Sequence, residues 1–168
     1  CNLELAGSLY FDQELSDITG FYQDGREFAV VGLFEDAAAF IDITNPDSVF
    51  EVGRISADEP NNWRDLKYWN RHVYIGTEAS DGVKVVSVDD LDSPILINTI
   101  TDFTNSHNIH IDTSGFLYVV GAHNHTLSRE QCPSTHNELP DQEMEPHDIW
   151  IYELTDHPEN PVLVGTWN

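Results

Sequence analysis

Apolar and polar residues alternate along this chain in short runs of strand length, and no window sustains a helical period. Three of these runs end in the same punctuated phrase. They are Phe40-Ile41-Asp42-Ile43 followed by Thr44-Asn45-Pro46, Val85-Val86-Ser87-Val88 followed by Asp89 to Pro94, and Ile151-Tyr152-Glu153-Leu154 followed by Thr155 to Pro161. After each turn comes a second alternating run, Phe50 to Ile55, Ile95 to Ile100 and Val162 to Trp167. Two more runs precede each phrase. One ends in glycine or Gly-Thr (Phe28 to Gly32, Val73 to Thr77, Leu117 to Gly121). The other opens the unit (Asp17 to Tyr22, Asp65 to Trp69, Asn108 to Asp112). Links rich in turn formers, with Asp24-Gly25, Asn70-Arg71 and Ser114-Gly115, join these two runs. Each unit therefore predicts four short strands.

Taking Asp17, Asp65 and Asn108 as equivalent starts gives spacings of 48 and 43 residues, the period of a four-stranded propeller blade. The expected fold is all-β, a β-propeller with about three four-stranded blades present. The blades span 17–55, 65–100 and 108–167 within a region 17–168, after an N-terminal segment 1–16. A blade buries both faces only by stacking on neighbours, and three do not close a circle when propellers have about 4–8. Further blades of a longer chain, or another chain, are thus expected to close the ring. A β-sandwich is the competing architecture, but chance places one matching phrase more readily than three in register. The third unit departs from the others by an insertion, 123–146, between its second and third strands. On the propeller reading this insertion covers the face where Asp17, Arg64-Asp65 and His107-Asn108 surround the mouth of the central channel.

Charge narrows the partners. Thirty acidic against seven basic residues give a net charge of −23, the opposite of what a phosphate backbone attracts, so no nucleic acid is expected. No run of about twenty apolar residues exists, so no membrane span is expected. The two cysteines, Cys1 and Cys132, form no Cys-x-x-Cys pair. Cys1 has competing readings: a disulfide to Cys132 that fastens the insertion, the lipidated first residue of a bacterial lipoprotein, or a free thiol. Asn124-His125-Thr126 is a glycosylation sequon with meaning only in a eukaryotic secreted protein.

Of the eight histidines, His107, His123, His125, His136 and His147 map to one face on the repeat pattern. His123 and His125 are two apart and point the same way in an extended segment. Imidazole suits zinc or copper, so these five form a candidate metal set, with solvated loop histidines as the alternative. His110 lies within a strand and reads as a packed or hydrogen-bonded side chain; His72 and His157 fall in turns. Trp63, Arg64 and Asp65 place an indole, a guanidinium and a carboxylate in succession. With Asp17, His107 and Asn108 they form the candidate ligand-binding set at the channel mouth, while an Arg–Asp ion pair bridging blades is the structural alternative. Asp89-Asp90-Leu91-Asp92 offers hard oxygen ligands for calcium, without the spacing of an EF-hand. No nucleophile elbow, His-Glu-x-x-His pair or phosphate-cradling glycine loop occurs, so no catalytic residue is assigned.

Several of these phrases also carry a family resemblance. Phe40-Ile41-Asp42-Ile43-Thr44-Asn45-Pro46 with Val52-Gly53, Trp63-Arg64-Asp65-Leu66-Lys67, Ser106-His107-Asn108-Ile109 with Tyr118-Val119-Val120-Gly121, and Asn160-Pro161-Val162-Leu163-Val164-Gly165 resemble the secreted LVIVD-repeat proteins, also called the choice-of-anchor B family. The resemblance covers nearly the whole chain from about Asp17 onward. It implies an extracellular, periplasmic or cell-surface propeller longer than this chain, with inner strands that often begin in a dipeptide like His107-Asn108. It implies no activity. The leading expectation is a secreted, non-catalytic module that binds an extracellular protein or glycan on the insertion-bearing face. Competing with it are a metal-dependent hydrolase or lyase using His107, Asp65, Arg64 and the insertion histidines, and a structural protein of an extracellular assembly.

Overall fold

The computed structural model describes residues 4–122 and 149–167. Among these the chain forms twelve β-strands in three antiparallel sheets of four. The first sheet holds β1 (Leu15–Gln23), β2 (Arg26–Leu33), β3 (Asp36–Asp42) and β4 (Phe50–Ser56). The second holds β5 (Arg64–Trp69), β6 (His72–Thr77), β7 (Val83–Ser87) and β8 (Ile95–Ile100). The third holds β9 (Asn108–Ile111), β10 (Phe116–Val120), β11 (Ile149–Glu153) and β12 (Val162–Trp167). Every sheet is a meander in which consecutive strands pair. The four-strand unit expected from the sequence is therefore present three times. The only helical turn among the described residues is a 3-10 turn at Pro46–Ser48, where Asn45 accepts a hydrogen bond from the Asp47 N–H.

Local chemistry sets the hairpins. Asp24 and Gly25 both have positive φ (50° and 85°), as do Asn70 and Arg71 (42° and 65°), the backbone that a tight hairpin needs to match strand twist. Arg71 sits there without glycine's freedom, and its guanidinium is held by Asp24 at 2.8 Å and Asp89 at 2.7 Å. In the third unit Asp112 organises the loop instead, its Oδ1 accepting from the Ser114 and Phe116 N–H groups.

The three outer strands share one irregularity. β4 skips Val52 in its pairing with β3, β8 skips Ile97 against β7, and β12 skips Val164 against β11. These bulges fall at the same place in the three units, which ties the sequence repeat to a repeated backbone. A bulge twists an edge strand away from flat pairing and so discourages edge-to-edge association.

The second sheet lies between the other two. Val73, Ile75 and Val86 on one of its faces join Phe28, Val30 and Phe40 of the first sheet in one core. Tyr74 and Val85 on the other join Leu117, Val119 and Tyr152 of the third. All of β6 and β7 is consequently buried, and the strands read as apolar runs because both faces are covered. The outward face of the first sheet (Val31, Leu33, Ala39, Ile41) is covered by Phe11 from the segment preceding β1. A two-sheet sandwich does not describe this arrangement. β1 lies beside β5 and β5 beside β9, so the first strands of the three units are neighbours.

Candidate functional site

The starts of β1, β5 and β9 carry a polar belt that links sheet to sheet. The Asp17 carboxylate accepts the backbone N–H of Leu66 at 3.1 Å, and the Asp65 carboxylate accepts that of Ile109 at 2.7 Å. Asp65 also pairs with the Lys67 ammonium and accepts from the Asn108 amide at 3.2 Å. Lys67 reaches Asp17 at 3.8 Å and so bridges the two carboxylates. Burial by itself raises the Asp65 carboxyl, but the Lys67, Ile109 and Asn108 contacts outweigh it and hold the group below the usual aspartate range. Asp17, Asp65 and Asn108 thus occupy the equivalent positions expected from the sequence.

Trp63, Arg64 and Asp65 do not converge on a ligand. Successive strand residues face opposite ways. Trp63 lies out in solvent, whereas the Arg64 side chain has 0% exposure. Its guanidinium donates to Thr77 Oγ1 at 2.8 Å, the Glu59 carbonyl at 2.9 Å, the Leu33 carbonyl at 3.4 Å and Asp81 at 3.5 Å. An Arg64–Asp65 ion pair is also not what forms: Arg64 pairs with Asp81, and Asp65 with Lys67. Asp81 is itself fully buried, and burial raises its carboxyl despite Lys84 and Arg64 nearby. Its Oδ1 has no hydrogen-bond partner among the described residues. Arg64 and Asp81 accordingly hold the interior together and offer nothing to solvent.

What the same end does offer is an open cavity of about 460 Å³ lined by Glu78, Asn105, His107, Val120 and Gly121. Three connections bring these residues together: the link leaving β6, the approach to β9, and the start of the link leaving β10. The backbone fixes the junction, with Ser106 N–H donating to the Thr77 carbonyl at 2.8 Å and His107 N–H to the Val120 carbonyl at 3.0 Å. Gly121, at a φ of 61°, lets His107 approach, since a Cβ there lies 2.8 Å from the His107 Cβ. The His107 ring nitrogen Nδ1 pairs with the Glu78 carboxylate, and the Asn105 amide donates to the Glu78 carbonyl at 3.4 Å. With 62% of the His107 side chain exposed, an imidazole, a carboxylate and an amide border one solvent-filled hollow. Together they supply hydrogen-bond donors, acceptors and one negative charge.

His107 is thus the predicted residue that lines the cavity, and Glu78 and Asn105 are additions. Glu78 was hidden because it follows the buried run of β6 in an acidic chain where one more glutamate draws no notice. Asn105, two residues before His107, carried a signal in its nearness to the start of β9. His123, His125, His136, His147, Asn124, Cys1 and Cys132 lie outside the described residues. Among the described residues no three His, Cys, Asp or Glu side chains cluster as a metal site. In the acidic turn, Asp89 pairs with Arg71 and Asp92 with Arg26, so two of its carboxylates already have cations. His110 is exposed, with its ring 6.4 Å from that of Tyr118. His72 belongs to β6 and is buried, its Nδ1 2.8 Å from the Asn70 carbonyl.

No protein-family model matches this sequence, and no curated protein matches it.

Proposed function

We propose that the three sheets are consecutive blades of a β-propeller of the LVIVD-repeat kind. In this reading the module is non-catalytic, acts outside the cytoplasm, and binds an extracellular protein or glycan at the end where Glu78, Asn105 and His107 border a cavity. The observation that carries the binding assignment is the contrast between that cavity and its surroundings. Arg64, Asp65 and Asp81 are buried and turned to partners within the protein, while the cavity side chains reach solvent. Neighbouring first strands support the propeller geometry, since in a propeller these are the strands that surround the axis. A hydrolase or lyase built on Asp65 and Arg64 lacks a free base and a free cation, because both are engaged in structure.

Binding of the purified protein to an immobilised panel of glycans and extracellular matrix proteins tests the assignment. Glu78→Gln combined with His107→Ala is expected to abolish capture, while Trp63→Ala leaves it intact. Capture that persists in the double variant contradicts the site. A stoichiometric zinc or copper found by elemental analysis, together with turnover in a hydrolase screen, contradicts the non-catalytic reading.

A further inference from the structure

Every described Lys and Arg is committed to a carboxylate other than Glu78. Glu78 pairs with the His107 imidazole instead, and no Lys or Arg is among the described residues that line its cavity. The contact with His107 uses one carboxylate oxygen, Oε1; among the described residues Oε2 meets no donor. A carboxylate only accepts, so a proton of His107 lies on Nδ1, and in the neutral ring Nε2 carries a lone pair. The pair therefore gives the hollow free acceptors and an uncompensated negative charge. The backbone that carries the carboxylate is held from both sides: the Glu78 N–H donates to the Trp63 carbonyl at 3.3 Å, and the Glu78 carbonyl accepts from the Asn105 amide at 3.4 Å. Val120 and Gly121 add an uncharged wall to the same cavity.

We propose that this cavity takes the side chain of a lysine carried by a protein partner, with the ammonium paired to Glu78 Oε2 and the aliphatic stem laid along Val120 and Gly121. The inference rests on the binding site assigned above and narrows its occupant from a protein or glycan to a basic protein segment. An ammonium is a compact, freely rotating donor and needs only the single oxygen that Glu78 has left. A guanidinium pairs best with both oxygens of a carboxylate at once, and His107 holds one of them. The lysine stem seeks apolar cover, which Val120 supplies, whereas no aromatic ring is among the described lining residues to stack on a sugar. The net charge of −23 draws a cationic partner toward the molecule.

Saturation-transfer NMR on the protein at its full natural length, in about 0.15 M sodium chloride, tests the occupant with small probes. Nα-acetyl-lysine methylamide is expected to receive saturation on its side-chain methylenes and to bind about tenfold more tightly than its Nε-acetyl, norleucine and arginine counterparts and than glucosamine. Glu78→Gln, which keeps the shape and removes the charge, is expected to lower the affinity for the lysine probe by about tenfold or more. Asp90→Asn, which removes an exposed acid in the turn between β7 and β8, is expected to leave it unchanged. Equal binding of the Nε-acetyl probe overturns the proposal. So does an equal loss with Asp90→Asn, which marks general attraction to an acidic surface. Tighter binding of the arginine probe or of glucosamine overturns the lysine assignment as well. If no probe binds while panel capture is still lost in the Glu78 and His107 double variant, the occupant is wrong and the site stands. Capture that survives the double variant removes the site, and the inference with it.

Discussion

Two aspartates in this protein have opposite fates although both sit at sheet interfaces. Asp65 accepts from a backbone N–H, an amide and an ammonium, and its carboxyl stays below the usual aspartate range. Asp81 is buried with one oxygen unpartnered, and its carboxyl is pushed up by burial. The linkage signs follow. Asp65 contributes stability above the aspartate's ordinary pKa, and that contribution is lost as pH falls through its lower folded value. Asp81, with a raised folded pKa, disfavours folding at neutral pH, and its protonation above the ordinary value relieves that cost. Urea unfolding at neutral pH and near pH 3 is therefore expected to show a smaller acid-induced loss for Asp65→Asn than for the unaltered protein; an equal loss contradicts the role given to Asp65. At neutral pH Asp65→Ala is expected to lower stability by about 1–3 kcal/mol, since the Ile109 N–H loses its acceptor. Removing the guanidinium with Arg64→Met leaves Asp81 with Lys84 and the Asp58 N–H but takes the donor from buried Thr77 Oγ1 and from the Leu33 and Glu59 carbonyls, and is expected to cost about 1–3 kcal/mol. A urea midpoint unchanged by Arg64→Met counts against a structural role for the pair. None of this pairing was legible in the sequence, because Arg64 and Asp65 are adjacent in the chain but face opposite ways in the strand, and their partners, Asp81 and Lys67, were not singled out.

At the scale of strands and turns the sequence was far more informative. The phrases ending at Pro46, Pro94 and Pro161 located β3, β7 and β11 and the outer strands that follow them. Pattern reading succeeded there because proline and Asn or Asp terminate strands for steric reasons that hold whatever the tertiary context. It did not reveal the bulges at Val52, Ile97 and Val164, since skipping a residue leaves no break in composition. It also put His72 in a turn and expected His110 to be packed or hydrogen-bonded, whereas His72 lies buried in β6 and His110 is exposed on β9. The link between β6 and β7 provides a test at this scale. Gly82 has a φ of 63°, and a Cβ added there lies 2.2 Å from the Ile100 carbonyl oxygen. Gly82→Ala is expected to destabilise by about 1–3 kcal/mol through that clash and the left-handed backbone. A thermal midpoint unaffected by the alanine contradicts this turn geometry.

For the molecule as a whole, the composition foretold charge but not how the sheets face one another. A net charge of −23 repels itself in the compact state, so raising sodium chloride from about 0.01 M to about 0.5 M is expected to increase the thermal midpoint as the Debye length shortens. A midpoint that falls over that range contradicts self-repulsion as the dominant electrostatic effect. The repeat spacing foretold stacking, and the structure has the second sheet buried on both sides with its Asp65 latched to the third. The cavity at Glu78, Asn105 and His107 was half legible: His107 stood out at the start of an inner strand, while Glu78 and Asn105 became neighbours only through the Ser106-to-Thr77 and His107-to-Val120 bonds. A crystal structure of the protein at its full natural length tests the central claim most directly. The account predicts a ring of four-stranded sheets with β1, β5 and β9 around the axis, its last sheet meeting the first across the segment that carries Phe11; an open stack of sheets would contradict it.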